Sequence, residues 1–291
     1  MNSNKRKFQV SNGYLFEFDQ FARLLTYLLE HRSSPKIKRL ELEDSTGLSN
    51  RQLESLVSIG SAVGLIVPGK QILTAVGGVI AKHDIFLDTK GSLEWCHYKG
   101  AGSFRNLIWF EIFNTIIPSG RNVTQDAWMA SLRSMLAGKY TDRTIGKHLY
   151  EEVRFVADAY LERHFSKLSL LHRNSEGILY RRRYTDPEPL IVAAMLYDFG
   201  GVHDTNLLQM DDVINKPSYP GFVFGIDDST MRTTLESIHE NGWVRYEGAH
   251  NLDQIRLKPG YNAISFLLAY YTNQPPIQRS DSEHAGNPTS G

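Results

Sequence analysis

The segment from His83 to His97 crowds two imidazoles, three carboxylates and an ammonium into a short stretch of chain. Oxygen and imidazole donors at that density could hold a divalent metal, Mg2+ or Mn2+. The ligands would be His83, Asp84, Asp88 and His97, with Lys90 placed to stabilise a pentavalent phosphate. Asp84, Asp88 and Lys90 are therefore the candidate catalytic residues, and Asp88-Thr89-Lys90 has the acidic-x-Lys spacing of half a metal-dependent nuclease site. Nucleases carry that half on a core strand, whereas here it falls in a connector between helices. A simpler role competes: Asp88 starts a helix and Glu94 supports its first turns.

Other reactive side chains are sparser. His203-Asp204 follows Gly200-Gly201 and reads as a loop with a turn and cap. Tyr140 and Tyr150 lie near Lys139, Arg143 and Lys147, where a tyrosine is either a nicking nucleophile or part of an interface. Trp95 and Trp109 are expected in the core with their N–H groups satisfied. No Walker A loop, GxSxG elbow or HExxH helix is present, which argues against ATP hydrolysis and serine-hydrolase chemistry. The single cysteine, Cys96, rules out a disulfide within the chain and a Cys-rich zinc site, and fits a reducing compartment.

The elements around these residues follow from periodicity. Phe18, Phe21, Leu24, Leu25, Leu28 and Leu29 mark an amphipathic helix, which Ser33-Ser34-Pro35 breaks. Leu42, Gly47-Leu48-Ser49, Leu53, Leu56 and Val57 then give the helix-turn-helix rhythm. Gly47 supplies the turn, Leu48 plugs the core and Ser49 caps the second helix. Gly64 stops that helix. Leu65–Val67, Pro68-Gly69-Lys70 and Gln71–Leu73 read as strand, turn and strand, a wing, with Thr74 capping a helix through Lys82. The C-terminal end repeats the scheme. A helix over Pro189–Phe199 and a helical stretch over Leu207–Val213 precede a helix carrying Met231, Leu235 and Ile238, capped by Asp227, Asp228 or Ser229. Strands over Trp243–Tyr246 and Gln254–Leu257 flank a polar turn, and a final helix covers Tyr261–Tyr271. Between these ends, Trp109, Phe110, Ile112, Phe113, Ile116 and Ile117 form an apolar stripe, and a helix spans Ile145–Phe165.

The expected fold is thus mainly α with small β wings: winged helix-turn-helix domains at both ends of a helical middle. The boundaries are 14–85, 86–180 and 181–272, with a disordered tail over 273–291. In a winged helix the start of the second helix meets base edges in the major groove. Here that start holds Ser49, Asn50, Arg51, Gln52 and Ser55, with Lys70 offered to phosphate from the wing. The C-terminal copy offers Ser229, Thr230, Arg232 and Thr233, and its wing Arg245, His250, Arg256 and Lys258. The run Arg181-Arg182-Arg183 could track a backbone. The same folds also serve as protein-docking modules; Glu236 and Glu240 pull the C-terminal copy that way, and an arginine run is also an ordinary solvated surface.

The 291 residues carry 32 Lys and Arg against 32 Asp and Glu, so any nucleic-acid contact must come from local patches. No run is long enough to span a membrane, and Met1–Val10 is polar and basic, unlike a secretory signal; a cytoplasmic protein is expected.

Gly64-Leu65-Ile66, Leu73-Thr74, Asp84-Ile85-Phe86-Leu87-Asp88, Gly91-Ser92-Leu93-Glu94-Trp95 and His97-Tyr98 together resemble the SspB-like family, a bacterial domain of unknown function associated with DNA phosphorothioation. Trp109, Phe110 and Tyr184-Thr185-Asp186-Pro187-Glu188-Pro189 continue the likeness, which runs from about Phe16 to Tyr270. The resemblance implies a DNA-binding component of a modification or defence system, partnered by a cysteine desulfurase, an ATPase and a sulfurtransferase-like sulfur carrier. It also implies DNA nicking that would open the backbone for sulfur incorporation; a noncatalytic regulator or adaptor is the alternative. Lys90 and Glu94-Trp95-Cys96 depart from the family pattern, and no catalytic motif carries over residue by residue.

Overall fold

The structure is a computed structural model that describes residues 6–32, 39–119, 123–248 and 253–278. The helix break at Ser33-Ser34-Pro35, the tip of the C-terminal hairpin with His250, and the tail beyond 278 lie outside the described residues. The chain is mainly helical with small antiparallel sheets.

At the N-terminal end, α1 (Phe18–Glu30) buries Phe18, Phe21, Leu24, Leu25 and Leu28, as its spacing predicts. Between α2 (Arg39–Thr46) and α3 (Asn50–Ala62), Gly47 takes φ +64 and Leu48 is buried. Ser49 and Gln52 close a capping box, each side chain bonding the other's backbone N–H. The expected wing is reduced to a bridge between Ile66 and Leu73, closed by Val67 N–H to Ile72 O at 2.8 Å. Thr74 caps α4 (Ala75–His83) by accepting the Gly77 N–H. A Cβ on Gly77 would stand 1.9 Å from the Leu65 carbonyl oxygen, so only glycine allows this hairpin-to-helix approach.

The middle is organised around α5 (Lys90–Gly102), buried over most of its length. The stripe after it is not one helix. α6 (Leu107–Glu111) passes into a π-helical turn at Ile112–Ile116 and a 3-10 turn at Ile117–Ser119. There Asn114 donates to the Ala101 and Phe110 carbonyls. α7 (Gln125–Leu136) and α8 (Asp142–Leu161) complete the helical layer, and α8 stops short of the expected Phe165, which sits in a 3-10 turn. Trp109, Phe113, Phe155, Tyr160 and Phe165 pack together, with Trp109 N–H donating to the Tyr160 hydroxyl at 3.0 Å. Trp95, by contrast, has a buried N–H without a partner among the described residues. On α8, buried Glu152 accepts from the backbone of Val10, Ser11 and Asn12 and pins the N-terminal segment to the core. The middle also holds a hairpin that periodicity misses, β1 (Leu171–Arg173) with β2 (Leu179–Arg181), in register Leu171↔Arg181.

At the C-terminal end, α9 (Pro189–His203) is buried nearly all round and runs through Gly200-Gly201; His203-Asp204 is its terminus, with Asp204 left-handed at φ 51. The stretch expected to be helical from Leu207 is instead β3 (Leu207–Gln209), followed by α10 (Met210–Asn215). After α11 (Pro220–Phe224), Asp227 caps α12 (Asp228–Glu240), then come β4 (Val244–Glu247), β5 (Gln254–Leu257) and α13 (Ala263–Thr272). β5 is central in the order β3-β5-β4, both pairings antiparallel. α13 packs on α9 and also on α4, so one hydrophobic core joins both ends.

Candidate nucleic-acid interface

The residues expected to share a metal are not brought together. Asp84 ends α4, and its carboxylate accepts from Asp88 N–H, Thr89 N–H, Thr89 Oγ1 and Ser92 Oγ at 2.6–2.9 Å. Burial pushes this carboxyl up, but the hydrogen bonds from Ser92, Thr89 and Asp88 outweigh it and hold it below its ordinary range. The α5 cap is Thr89, one residue beyond the expected Asp88. His83 stacks on Tyr271 at 5.4 Å. His97 lies in the interior, bonded to the Tyr160 hydroxyl and the Val223 carbonyl, and burial drives its imidazole down to about 3. Among the described residues no group of three or more His, Cys, Asp or Glu is arranged to hold a metal ion.

Asp88 instead meets two residues that sequence reasoning did not single out. It is 61% exposed and lies 2.8 Å from Lys167 Nζ and 3.7 Å from His164 Nε2. His164 stacks on Phe18 at 3.7 Å, which fixes its ring. Lys90 turns away to pair with Asp186.

The polar residues at the start of α3 divide into two groups. Ser49 and Gln52 are engaged in the capping box, Asn50 donates to Glu54 at 2.7 Å, and Ser55, expected to face DNA, is instead buried on the core side of the helix. Arg51 is exposed, its guanidinium 5.9 Å from the centre of the Tyr14 ring. Lys70 is exposed on a turn where Gly69 takes φ +74. Among the described residues neither cation has an ion-pair partner.

The C-terminal cations are held differently. Arg232 bonds both oxygens of Asp228, at 2.7 and 3.0 Å, as well as Asp253 and the Tyr246 hydroxyl. Asp253 and Asp228 raise its guanidinium above its usual range. Asp211, Asp227, Asp228 and Asp253 line a cavity of about 340 Å3 beside it, so the surface at the start of α12 is acidic. Arg245 pairs with Glu247 at 2.6 Å. In the arginine run, Arg181 is drawn inward and donates to the Phe222 and Val223 carbonyls at the end of α11; burial brings it down to about 10. Arg183 is 78% exposed and pairs with Asp227, leaving Arg182 as the exposed cation of the run without an ion pair among the described residues.

A larger cleft of about 710 Å3 opens beside α3, between the Pro68-Gly69 turn, the α5–α6 connection and the end of α9. Lys7, Phe104 and Arg105 are among the residues that line it.

With this geometry in hand, residues 60–271 match a family model described as a protein of unknown function (DUF4007). The chain belongs to this family. The DUF4007 chain shares its fold with two solved structures. One is a magnesium ion-bound SspB crystal structure, at 14% identity and TM-score 0.70, covering 92% of this chain and 88% of that chain. The other is an SspB crystal structure, at 13% identity and TM-score 0.67, covering 92% and 86%. No curated protein matches the DUF4007 chain. Among its described residues no helix is long and apolar enough to cross a membrane.

Proposed function

We propose that this protein is the DNA-binding component of a bacterial, cytoplasmic DNA phosphorothioation modification or defence system, and that it meets duplex DNA through its N-terminal end. The observation that carries the reading is the pair of exposed cations, Arg51 at the start of α3 and Lys70 on the adjoining turn, which no described carboxylate neutralises. Both ends are winged helices on this reading: α2, α3 and the Ile66–Leu73 hairpin at one, α12 with β4 and β5 at the other. Arg51 reads base edges while Lys70 contacts phosphate. A cysteine desulfurase, an ATPase and a sulfurtransferase are its working partners, in keeping with the shared SspB fold.

The magnesium ion in one of the SspB structures prompts the question of a metal site here. His83, Asp84, Asp88 and His97 do not fit one. Asp84 is satisfied by four hydrogen bonds and His97 is sealed among aromatic rings. The adaptor role therefore takes precedence over nicking. Nicking keeps one supporting observation, the exposed Asp88 beside His164 and Lys167.

A supercoiled-plasmid assay with Mg2+ or Mn2+, run beside duplex binding, tests both readings. Salt-sensitive binding without relaxation is the expected result. Open circles that disappear with Asp88→Ala would replace the adaptor by a nickase.

A further inference from the structure

Phe104 is a large aromatic side chain left 52% exposed, and its surroundings are cationic. The Arg6 guanidinium lies 4.0 Å from the centre of its ring, and Phe110 meets its edge at 5.3 Å. Arg105 follows it in sequence, exposed and without an ion pair among the described residues, and Lys7 lines the same cleft. The neighbouring charges are not equally available. Arg6 is held by Glu111, and Lys99 and the Tyr98 hydroxyl both bond Asp198. Lys7, whose ammonium donates to Ser58 Oγ at 2.6 Å, and Arg105 are left against a single lining carboxylate without a cation among the described residues, Glu54, so the cleft keeps a net positive charge. Lys7 and Arg105 repel each other: after burial, Arg105 is the next cause that lowers the Lys7 ammonium. An anion between them would relieve that repulsion.

We infer that this cleft binds an unpaired strand of nucleic acid, with a base stacked at Phe104 and phosphates held by Lys7 and Arg105. An aromatic platform beside a cationic wall is what a single strand requires, because every base has a π-face and every linkage a charge. The volume, about 710 Å3, is on the scale of small-ligand sites and of a few stacked bases, not of a duplex. Position supports the same occupant. Glu54 of α3 and Pro68-Gly69 of the turn line the cleft, so it adjoins the surface that bears Arg51 and Lys70. A strand leaving a duplex held there would reach Phe104 directly. The inference rests on the DNA-binding reading and adds to it a place for a locally opened strand.

Fluorescence anisotropy with the full chain, using labelled oligothymidine and a labelled duplex, tests it. Phe104→Ala should weaken oligothymidine binding about 5- to 150-fold, since a stacked base contributes about 1–3 kcal/mol, and leave duplex affinity within about twofold. Phe104→Tyr should retain it. Arg105→Gln should lower the oligothymidine salt slope by about 0.7. Duplex binding with oligothymidine affinity absent, or unchanged in Phe104→Ala, overturns the cleft assignment alone. Oligothymidine binding that depends on Phe104 without any duplex binding upholds the cleft and overturns the duplex surface. Binding to neither overturns both.

Discussion

The two ends of the chain use the same elements, a capped helix followed by a hairpin, and differ in what surrounds their cations. Ser49 caps α3 and Asp227 caps α12 by the same side-chain-to-backbone bond. At the N-terminal end the cation next to the cap, Arg51, is left to solvent. At the C-terminal end Arg232 is bonded by Asp228 from one turn earlier and by Asp253 from the hairpin. An arginine already satisfied by two carboxylates must break those bonds before it can bind a phosphate, and the freed carboxylates would then repel the phosphate. Cap and hairpin therefore place a helix, but the neighbouring charges decide whether it suits DNA. The C-terminal end serves better as a packing platform: its α13 bridges α9 and α4.

The backbone of the N-terminal unit gives the most severe way to break the comparison. Gly77→Ala puts a Cβ 1.9 Å from the Leu65 carbonyl oxygen, a backbone atom that cannot swing aside. A loss of about 3–5 kcal/mol in denaturant unfolding is expected, with duplex binding lost alongside it.

The joint between the regions gives the next effect. Glu94 of α5 accepts from the Tyr184 hydroxyl at 2.6 Å and the Glu188 N–H at 3.1 Å, fastening the segment that leads into α9. Burial raises its carboxyl to about 7 against the opposing pull of those hydrogen bonds and Lys90. The folded state thus retains a proton that the unfolded chain releases near 4.5. The contribution to stability is complete below 4.5 and is lost as pH rises through 7. Glu94→Gln should remove that decline, matching wild type near pH 4 and exceeding it by about 2–3 kcal/mol at pH 8 in urea melts. An unchanged pH slope would place the ionisation elsewhere.

The smallest effect belongs to the C-terminal region. Gly201 lies inside α9 with nothing within 4 Å of where a Cβ would go. Gly201→Ala should stabilise by about 1 kcal/mol, read as a rise in the urea midpoint, the opposite sign to Gly77→Ala.

Legibility in the sequence followed the range of the interaction. The Gly47-Leu48-Ser49 turn, the capping role of Ser49 and the Thr74 cap all depend on neighbours a few residues away, and each was readable. Leu207–Gln209 looked helical because what makes it a strand is Gln254–Leu257, far along the chain. The β1–β2 hairpin leaves no signal in the sequence because each strand is only three residues long, too short for alternation to register. The site divides in the same way. The Asp227 cap of α12 is legible from its immediate neighbours, whereas the hold of Asp253 on Arg232, from 21 residues on, has no local signal. His97 read as a ligand because its spacing to Asp84 and Asp88 was local. Its burial against Tyr160 and Val223 comes from contacts 63 and 126 residues away. Likewise nothing near Asp88 announced Lys167, 79 residues on.

The most direct test of the N-terminal assignment is duplex affinity as a function of salt for wild type, Arg51→Glu/Lys70→Glu and Arg232→Gln/Arg245→Gln. Loss of about 10–100-fold in the first double variant, with a shallower salt slope, and a change within about twofold in the second, is the predicted result. Equal losses in both, or a loss confined to the Arg232→Gln/Arg245→Gln variant, would contradict it.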